Sequence, residues 1–212
     1  MTTLLHIDSS PMGEASISRR LTHEFVQQWR QANVDGEILY RDLARTEIPV
    51  IDAAWSAANF TPKAMRTPQQ GDLLALSNAL TAELHQADEY VIGVPMHNWG
   101  PSSSFKLWVD HIVRQEETVA STAMGPRGTL GGKRATFMIA AGGRYDAGAA
   151  SANFVEPWLR TLFGYLGLEE MRFVTADAVV GVLNGSVKRE VFLAPYVEQV
   201  RLAALADKAV SL

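Results

Sequence analysis

The sequence predicts an α/β fold in which a five-stranded parallel β-sheet lies between two layers of helices. Three observations lead to this prediction. Short apolar runs alternate with amphipathic segments along the chain, as in strand–helix–strand units. The loops richest in serine, asparagine, tryptophan and glycine follow apolar runs, as at the binding edge of such a sheet. With 212 residues, 47% of them hydrophobic, the chain can bury one substantial core, so we expect residues 1–212 to form a single domain.

Each predicted element follows from its local pattern. The strands are apolar runs bounded by polar or glycine-rich segments, and the helices have apolar residues three or four positions apart. Residues 43–68, which contain several prolines, have no clear period and are predicted to form a long surface excursion, with room for short helical pieces. Residues 119–132, rich in glycine and threonine, are predicted to be irregular. In chain order, the predicted strands cover residues 4–8, 37–40, 89–94, 133–141 and 171–175. The first predicted helix begins near residue 16, the second covers 69–86, and the third begins after residue 102. The fourth covers 151–166 and the last about 187–208.

This series of elements suits a flavodoxin-like three-layer sandwich with strand order 2-1-3-4-5. Right-handed crossovers then place helices on both faces of the sheet. The loops after the first, third and fourth strands meet at one crevice, and ligands bind in such crevices beyond the carboxyl ends of the strands. We therefore expect the binding residues to lie in these three loops.

Composition excludes several kinds of function. The chain has no cysteine, so disulfides, thiolate metal sites and cysteine redox chemistry are excluded, and redox work requires a bound cofactor. The net charge of −4 and the lack of a basic block argue against nucleic-acid binding. No segment resembles a signal peptide or the roughly 20 apolar residues that span a bilayer. We expect a cytoplasmic protein that binds neither nucleic acid nor membranes.

The loop after the first strand predicts an anion site. It supplies Ser10 and then Ser16, Ile17 and Ser18, where a helix begins. Free N–H groups and the positive end of the helix dipole favour an anion there, and the hydroxyl groups add donors. The alternative is that Ser16 is only the N-cap of an ordinary helix.

The loop after the third strand indicates a flavin. Backbone N–H groups, a carboxamide and an indole face suit a planar heteroaromatic cofactor. Trp99 is the candidate for stacking on the ring, although a core tryptophan is the alternative. For His97 we favour a backbone role over a metal ligand or a general base, because no second ligand follows at a suitable spacing. The residues are Pro95, Met96, His97, Asn98 and Trp99.

The loop after the fourth strand contains Ala140, Ala141, Gly142 and Gly143. Paired glycines permit close approach of the backbone to a ligand and positive φ angles. The alternative is a simple turn, and only the position of this loop at the same crevice favours a binding role.

With these motifs the chain resembles the bacterial family of FMN-dependent NADH:quinone oxidoreductases and azoreductases. The most specific matches are Ser10, residues 16–18, residues 95–99 and residues 163–167. The resemblance implies that the serines hold the FMN phosphate, that residues 96–99 line the isoalloxazine ring, and that residues 140–143 complete the pocket. Two departures concern His97, where the family often has tyrosine, and Ala140-Ala141, where it often has Ser-Arg.

The resemblance also implies an enzyme that takes electrons from NADH or NADPH and passes them to a quinone or an azo compound. Because both substrates need the same face of one flavin, we expect ping-pong kinetics. The family is dimeric, with each active site completed by the partner subunit. Tyr145 and Phe163, and Phe60 from the partner chain, are the candidates for the acceptor pocket.

Two other functions remain open from the residues alone. A flavodoxin-like FMN electron carrier that docks protein partners has the same fold, but such carriers tend to be shorter and more acidic. A serine hydrolase using Ser9 or Ser10 requires a His–Asp partner, and none is identified in the sequence.

Overall fold

A computed structural model describes residues 2–145 and 152–205 of the chain. Its central sheet consists of five parallel strands in the order β2-β1-β3-β7-β8, which confirms the predicted strand order. The short β2 is an edge strand, as its length and flanking charges indicate. The strands are β1 (Thr3–Asp8), β2 (Glu37–Asp42), β3 (Glu89–His97), β4 (Gly100–Pro101), β5 (Val119–Thr122), β6 (Gly125–Gly128), β7 (Arg134–Ala140) and β8 (Glu170–Ala176).

Helices cover both faces of this sheet. On one face α1 and α8 bury an apolar core that includes Phe25 and Trp29. On the other face α4, α5 and α6 enclose a second core around Trp108, Phe137 and Phe163. The helices are α1 (Ile17–Ala32), α2 (Ala53–Phe60), α3 (Pro68–Leu73), α4 (Ala75–Gln86), α5 (Ser103–Ile112), α6 (Val155–Tyr165), α7 (Val180–Leu183) and α8 (Arg189–Leu205).

The first helix shows how the sequence determines an element. Its stripe of apolar residues at intervals of four is buried, and Ser16 caps its N-terminus by accepting a hydrogen bond from the Arg19 N–H. The cap and the apolar stripe are both local signals, so the position of α1 agrees with the prediction.

Residues 43–68 contain the short helix α2, capped by Asp52, and a short 3₁₀ turn, as the predicted excursion with short helical pieces allows. Two segments differ from the prediction. The predicted helix over 69–86 is two helices, α3 and α4, which meet at Leu74. Residues 119–132 contain the antiparallel hairpin β5–β6. The predicted ends of two helices, at Ser151 and Lys208, lie outside the described residues.

The hairpin β5–β6 is held by contacts distant in sequence. Gly128 packs directly against the backbone of Leu166 at the end of α6, where a Cβ atom on residue 128 would lie only 2.0 Å from the Leu166 carbonyl carbon. The Leu130 N–H donates to the Leu166 carbonyl at 3.0 Å. Such docking leaves no period in the sequence, which is why the hairpin was predicted to be irregular.

Among residues 2–145 and 152–205, we find no helix with the length and apolar character required to cross a bilayer.

Candidate functional site

The loops after β1 and β3 are joined by hydrogen bonds through Ser9. Its N–H and its hydroxyl both donate to the Gly93 carbonyl, at 3.3 and 2.7 Å. Its carbonyl accepts from the Ser102 hydroxyl at 3.0 Å and from the Ser104 hydroxyl at 3.2 Å, at the N-terminus of α5. The two loops therefore meet at the carboxyl edge of the sheet. No specific signal in the sequence marks this role of Ser9, because serine is common in any turn.

The N-terminus of α1 has the donors required for an anion. Ser16 and Ser18 are buried, with their hydroxyl oxygens 3.1 Å apart. Within the described parts of the chain, the N–H groups of Ile17 and Ser18 make no hydrogen bond. The Ile17 side chain lies in the core, so only its N–H can contribute. Ser16 is the N-cap of α1, as one of its two predicted roles requires. Its other role, as a donor to a bound anion, stays a prediction.

Ser10 lies beside these donors. It is almost fully buried, and its hydroxyl accepts a hydrogen bond from the Met12 N–H at 3.3 Å. Its own hydroxyl proton therefore remains available for a group bound in the loop. Residues 10–18 thus contain several neutral donors that a bound anion can use.

The aromatic loop is a tight turn rather than an open loop. β3 extends to His97 and pairs antiparallel with β4, so that Asn98 and Trp99 alone form the connection. Their φ angles are +49° and +64°, as in a type I′ hairpin turn. Positive φ is uncommon for a bulky side chain and strains the backbone. The indole is 56% exposed, so Trp99 is not a core tryptophan, whereas Trp108 is.

This strained turn leads to a testable expectation. W99G removes the penalty for positive φ, whereas W99A keeps it, and both remove the indole. We therefore expect W99G to be more stable than W99A by about 1 kcal/mol. Urea unfolding of both purified variants measures this difference, and equal midpoints would show that the turn is not held at positive φ.

The loop after β7 contributes mainly backbone groups to the candidate site. Ala140 and Ala141 are buried. Ala141 donates its N–H to the Ala176 carbonyl at the end of β8 and accepts a hydrogen bond from the Val179 N–H just after this strand. A Cβ atom at Gly142 would meet no atom within 4 Å, so this residue borders open space. Neither Gly142 nor Gly143 has the positive φ that was considered possible from the sequence.

The three candidates for the acceptor pocket lie in different places. Phe163 is fully buried between Trp108 and Phe137, so its prediction as a pocket residue is wrong. Its apolar spacing on α6 is that of a core residue. The ring of Tyr145 lies next to the loop after β7, 3.4 Å from the position that a Cβ atom on Gly143 would take. Phe60 is 76% exposed at the end of α2.

The far end of α5 is attached to the segment that carries Phe60. His111 is paired through Nε2 with the Pro49 carbonyl at 2.9 Å. Just beyond the helix, the fully buried guanidinium of Arg114 donates to the Asn59 side chain at 2.9 Å. Burial lowers the pKa of Arg114. Neither His111 nor Arg114 is predicted as a functional residue from the sequence, because the bonds that join them to residues 49 and 59 depend on the fold.

Comparison with known proteins agrees with the fold. Residues 2–200 match a family model described as a flavodoxin-like fold. The chain is 64% identical over 203 residues to an FMN-dependent NADH:quinone oxidoreductase of Burkholderia lata, covering 95% of this chain and 98% of that protein. It is 47% identical to an FMN-dependent NADH:quinone oxidoreductase of Acidobacterium capsulatum, covering 96% of this chain and all of the relative.

Solved structures support the fold. An azoreductase from Bacillus anthracis superposes with a TM-score of 0.84 at 21% identity, covering 96% of this chain and 99% of that one. An FMN-dependent NADH-azoreductase from the same species, solved in complex with FMN, gives a TM-score of 0.82 at 23% identity, with 96% and 98% coverage. The curated relatives and the family model together show that the chain belongs to the flavodoxin-like family of FMN-dependent NADH:quinone oxidoreductases.

Proposed function

We propose that this chain is a single-domain, FMN-dependent oxidoreductase that transfers electrons from NADH or NADPH to quinones and azo compounds. The observation that carries the proposal is that the loops after β1 and β3 meet at the carboxyl edge of the sheet. In the first loop the N–H groups of Ile17 and Ser18, which make no hydrogen bond within the described residues, suit a phosphate. In the second loop the exposed indole of Trp99 suits a planar ring. The bonds to Ser9 hold the loops together.

The residues at the crevice fit FMN by their chemistry. The phosphate would be held by the hydroxyl groups of Ser10, Ser16 and Ser18 and by the free N–H groups of α1. The ring would lie against residues 95–99 and residues 140–143. When bound, FMN supplies the redox chemistry, accepting two electrons from the nicotinamide and giving them to the acceptor.

The protein contributes position and electrostatics. Ser102 and Ser104 place the N-terminus of α5 beside the loop after β1. The positive end of the α5 dipole favours negative charge in the crevice. This proposal requires no side-chain nucleophile.

Steady-state kinetics test the proposed function. The purified protein should be yellow, should release FMN on denaturation, and should oxidise NADH in the presence of a benzoquinone. NADH and the quinone use one site in turn, so double-reciprocal plots at several quinone concentrations should be parallel. Intersecting lines would indicate a ternary complex. A colourless protein that neither binds added FMN nor oxidises NADH would refute the function.

The proposal includes a homodimer in the cytoplasm, where NADH is available as the reductant. Phe60 and Met65 are both more than 70% exposed on the segment after β2. This segment is fixed on the domain by Arg114 and His111, so its apolar side chains are presented on a rigid surface. A second copy would cover them and bring Phe60 to the partner's crevice.

The variant F60D tests this dimer. A carboxylate in an apolar interface should separate the subunits, lowering quinone reduction while FMN remains bound. Sedimentation velocity gives the association state of F60D and of the control V34D, which changes another exposed apolar residue, in the turn between α1 and β2. If F60D sediments as the wild type and retains full activity, Phe60 does not lie in a functional interface.

A further inference from the structure

The guanidinium of Arg19 lies under the loop that carries the proposed phosphate donors. Arg19 is in the first turn of α1, and its side chain is only 14% exposed. An arginine side chain has five N–H donors, and this one makes five hydrogen bonds. Nε donates to the Ser10 carbonyl at 2.8 Å, Nη2 to the same carbonyl and to Asp42, both at 2.6 Å, and Nη1 to Asp42 at 2.9 Å and to the Tyr40 hydroxyl at 3.2 Å.

These bonds connect the edge strand β2 to the loop. Asp42 receives a bidentate contact, the strongest geometry for an arginine–carboxylate pair. The Tyr40 hydroxyl donates in turn to the buried carboxylate of Asp8 at 3.1 Å. Asp8 also accepts from the Thr22 hydroxyl at 2.8 Å and lies 3.3 Å from the His6 imidazole. The network thus reaches from β2 through β1 to α1.

Arg19 and the two β2 residues Tyr40 and Asp42 keep their charge states at neutral pH. Burial and the carboxylates of Asp8 and Asp42 raise the pKa of Tyr40 to about 12, so the phenol stays protonated. Burial alone would raise the pKa of Asp42, but the hydrogen bonds and charge of Arg19 outweigh it and lower the pKa. Arg19 therefore balances a carboxylate that is ionised.

A direct bond from Arg19 to a phosphate would break one of its five existing bonds. We propose instead that Arg19 is a positioning residue, which holds the Ser10 carbonyl away from the anion and so leaves only donors facing it. The inference rests on the proposed function, because it assumes that this loop binds the FMN phosphate. A carbonyl oxygen turned towards a phosphate would repel it, and the two N–H groups of Arg19 prevent that.

The same guanidinium limits repulsion from the carboxylates. Asp8 and Asp42 both lie beneath the loop, and Arg19 Nη1 is 3.6 Å from the Asp8 carboxylate. Without this cation, the buried carboxylate of Asp8 and the partly buried carboxylate of Asp42 would repel a bound dianion through a medium that screens charge poorly. Both effects act on the phosphate and not on the flavin ring.

Riboflavin, which has the same ring but no phosphate, separates these effects from a general loss of structure. We expect R19M to weaken FMN binding by about tenfold or more, measured by quenching of flavin fluorescence in the apoprotein. Riboflavin binding should change by less than about threefold. R19K retains the charge but not the five-donor geometry, so its FMN affinity should lie between those of R19M and the wild type.

R41M is the matched control. Arg41 also lies in β2, where it pairs with Glu83 on the other face of the sheet, so its loss disturbs β2 without touching the loop. R41M should bind FMN as the wild type does. If R19M does not fold, the affinities for FMN and riboflavin are compared in R19K and Y40F instead. The thermal midpoint of each apoprotein shows whether the variant is folded.

Equal losses of FMN and riboflavin affinity in R19M, or unchanged FMN affinity, would overturn the role of Arg19. A wild-type protein that binds no FMN would instead overturn the proposed function. Inorganic phosphate gives an independent measurement, because it should raise the thermal midpoint of the wild-type apoprotein more than that of R19M.

Discussion

Replacing Ser16 and Ser18 together with alanine is expected to weaken FMN binding by about 100-fold or more. Each hydroxyl is buried at the N-terminus of α1, and a hydrogen bond to a charged group contributes about 1.5–3 kcal/mol. Isothermal titration of the apoprotein with FMN measures the loss. Wild-type affinity in the double variant would show that the phosphate does not bind at this helix.

The two serines are expected to differ in their effect on stability. Ser16 caps α1, so S16A should lower the free energy of unfolding by about 1 kcal/mol. Ser18 makes no capping bond, and S18A should lower FMN affinity while leaving the apoprotein nearly as stable as the wild type. T67A is a suitable control, because it removes the cap of α3 and should leave FMN affinity unchanged.

The largest expected effect on stability comes from G128A. A Cβ atom there would lie 2.0 Å from the carbonyl carbon of Leu166 and 2.2 Å from its oxygen. The backbone of Leu166 cannot move freely, because its carbonyl accepts the Leu130 N–H. We expect G128A to lower the free energy of unfolding by about 3 kcal/mol or more, since overpacking against a fixed backbone is poorly relieved.

Urea unfolding of the apoprotein tests G128A against G131A. A Cβ atom on Gly131 would meet its nearest atom at 3.9 Å, an ordinary contact, so G131A should change the unfolding free energy by less than about 1 kcal/mol. Similar midpoints for the two variants would mean that the hairpin β5–β6 is not docked on α6 as described.

Local signals explain which parts of the structure the sequence predicts. The five strands are apolar runs, and the cap and apolar stripe of α1 lie within one helix, so each can be recognised from neighbouring residues. The strand order and the meeting of the loops then follow from general rules of connection. The family resemblance agrees with this fold and was confirmed by the comparisons.

Contacts between distant segments explain the rest. The hairpin β5–β6 depends on the approach of Gly128 to Leu166, and no local period marks it. Phe163 was assigned to a pocket because it is aromatic, although its position on α6 directs it into the core. The network of Arg19 joins β1, β2 and α1. Its members are ordinary polar and charged residues in the sequence, and only the fold brings them together.

The two attachments of α5 have a practical consequence for protein engineering. Its first turn is bonded to Ser9, and its last turn and the residues just beyond it are bonded to the segment around α2. A substitution that tilts this helix, which is only about 15 Å long, would alter the cofactor loop and the Phe60 surface together. Mutant libraries designed to change acceptor preference should vary Trp99 and Tyr145, because substitutions there disturb neither attachment of α5.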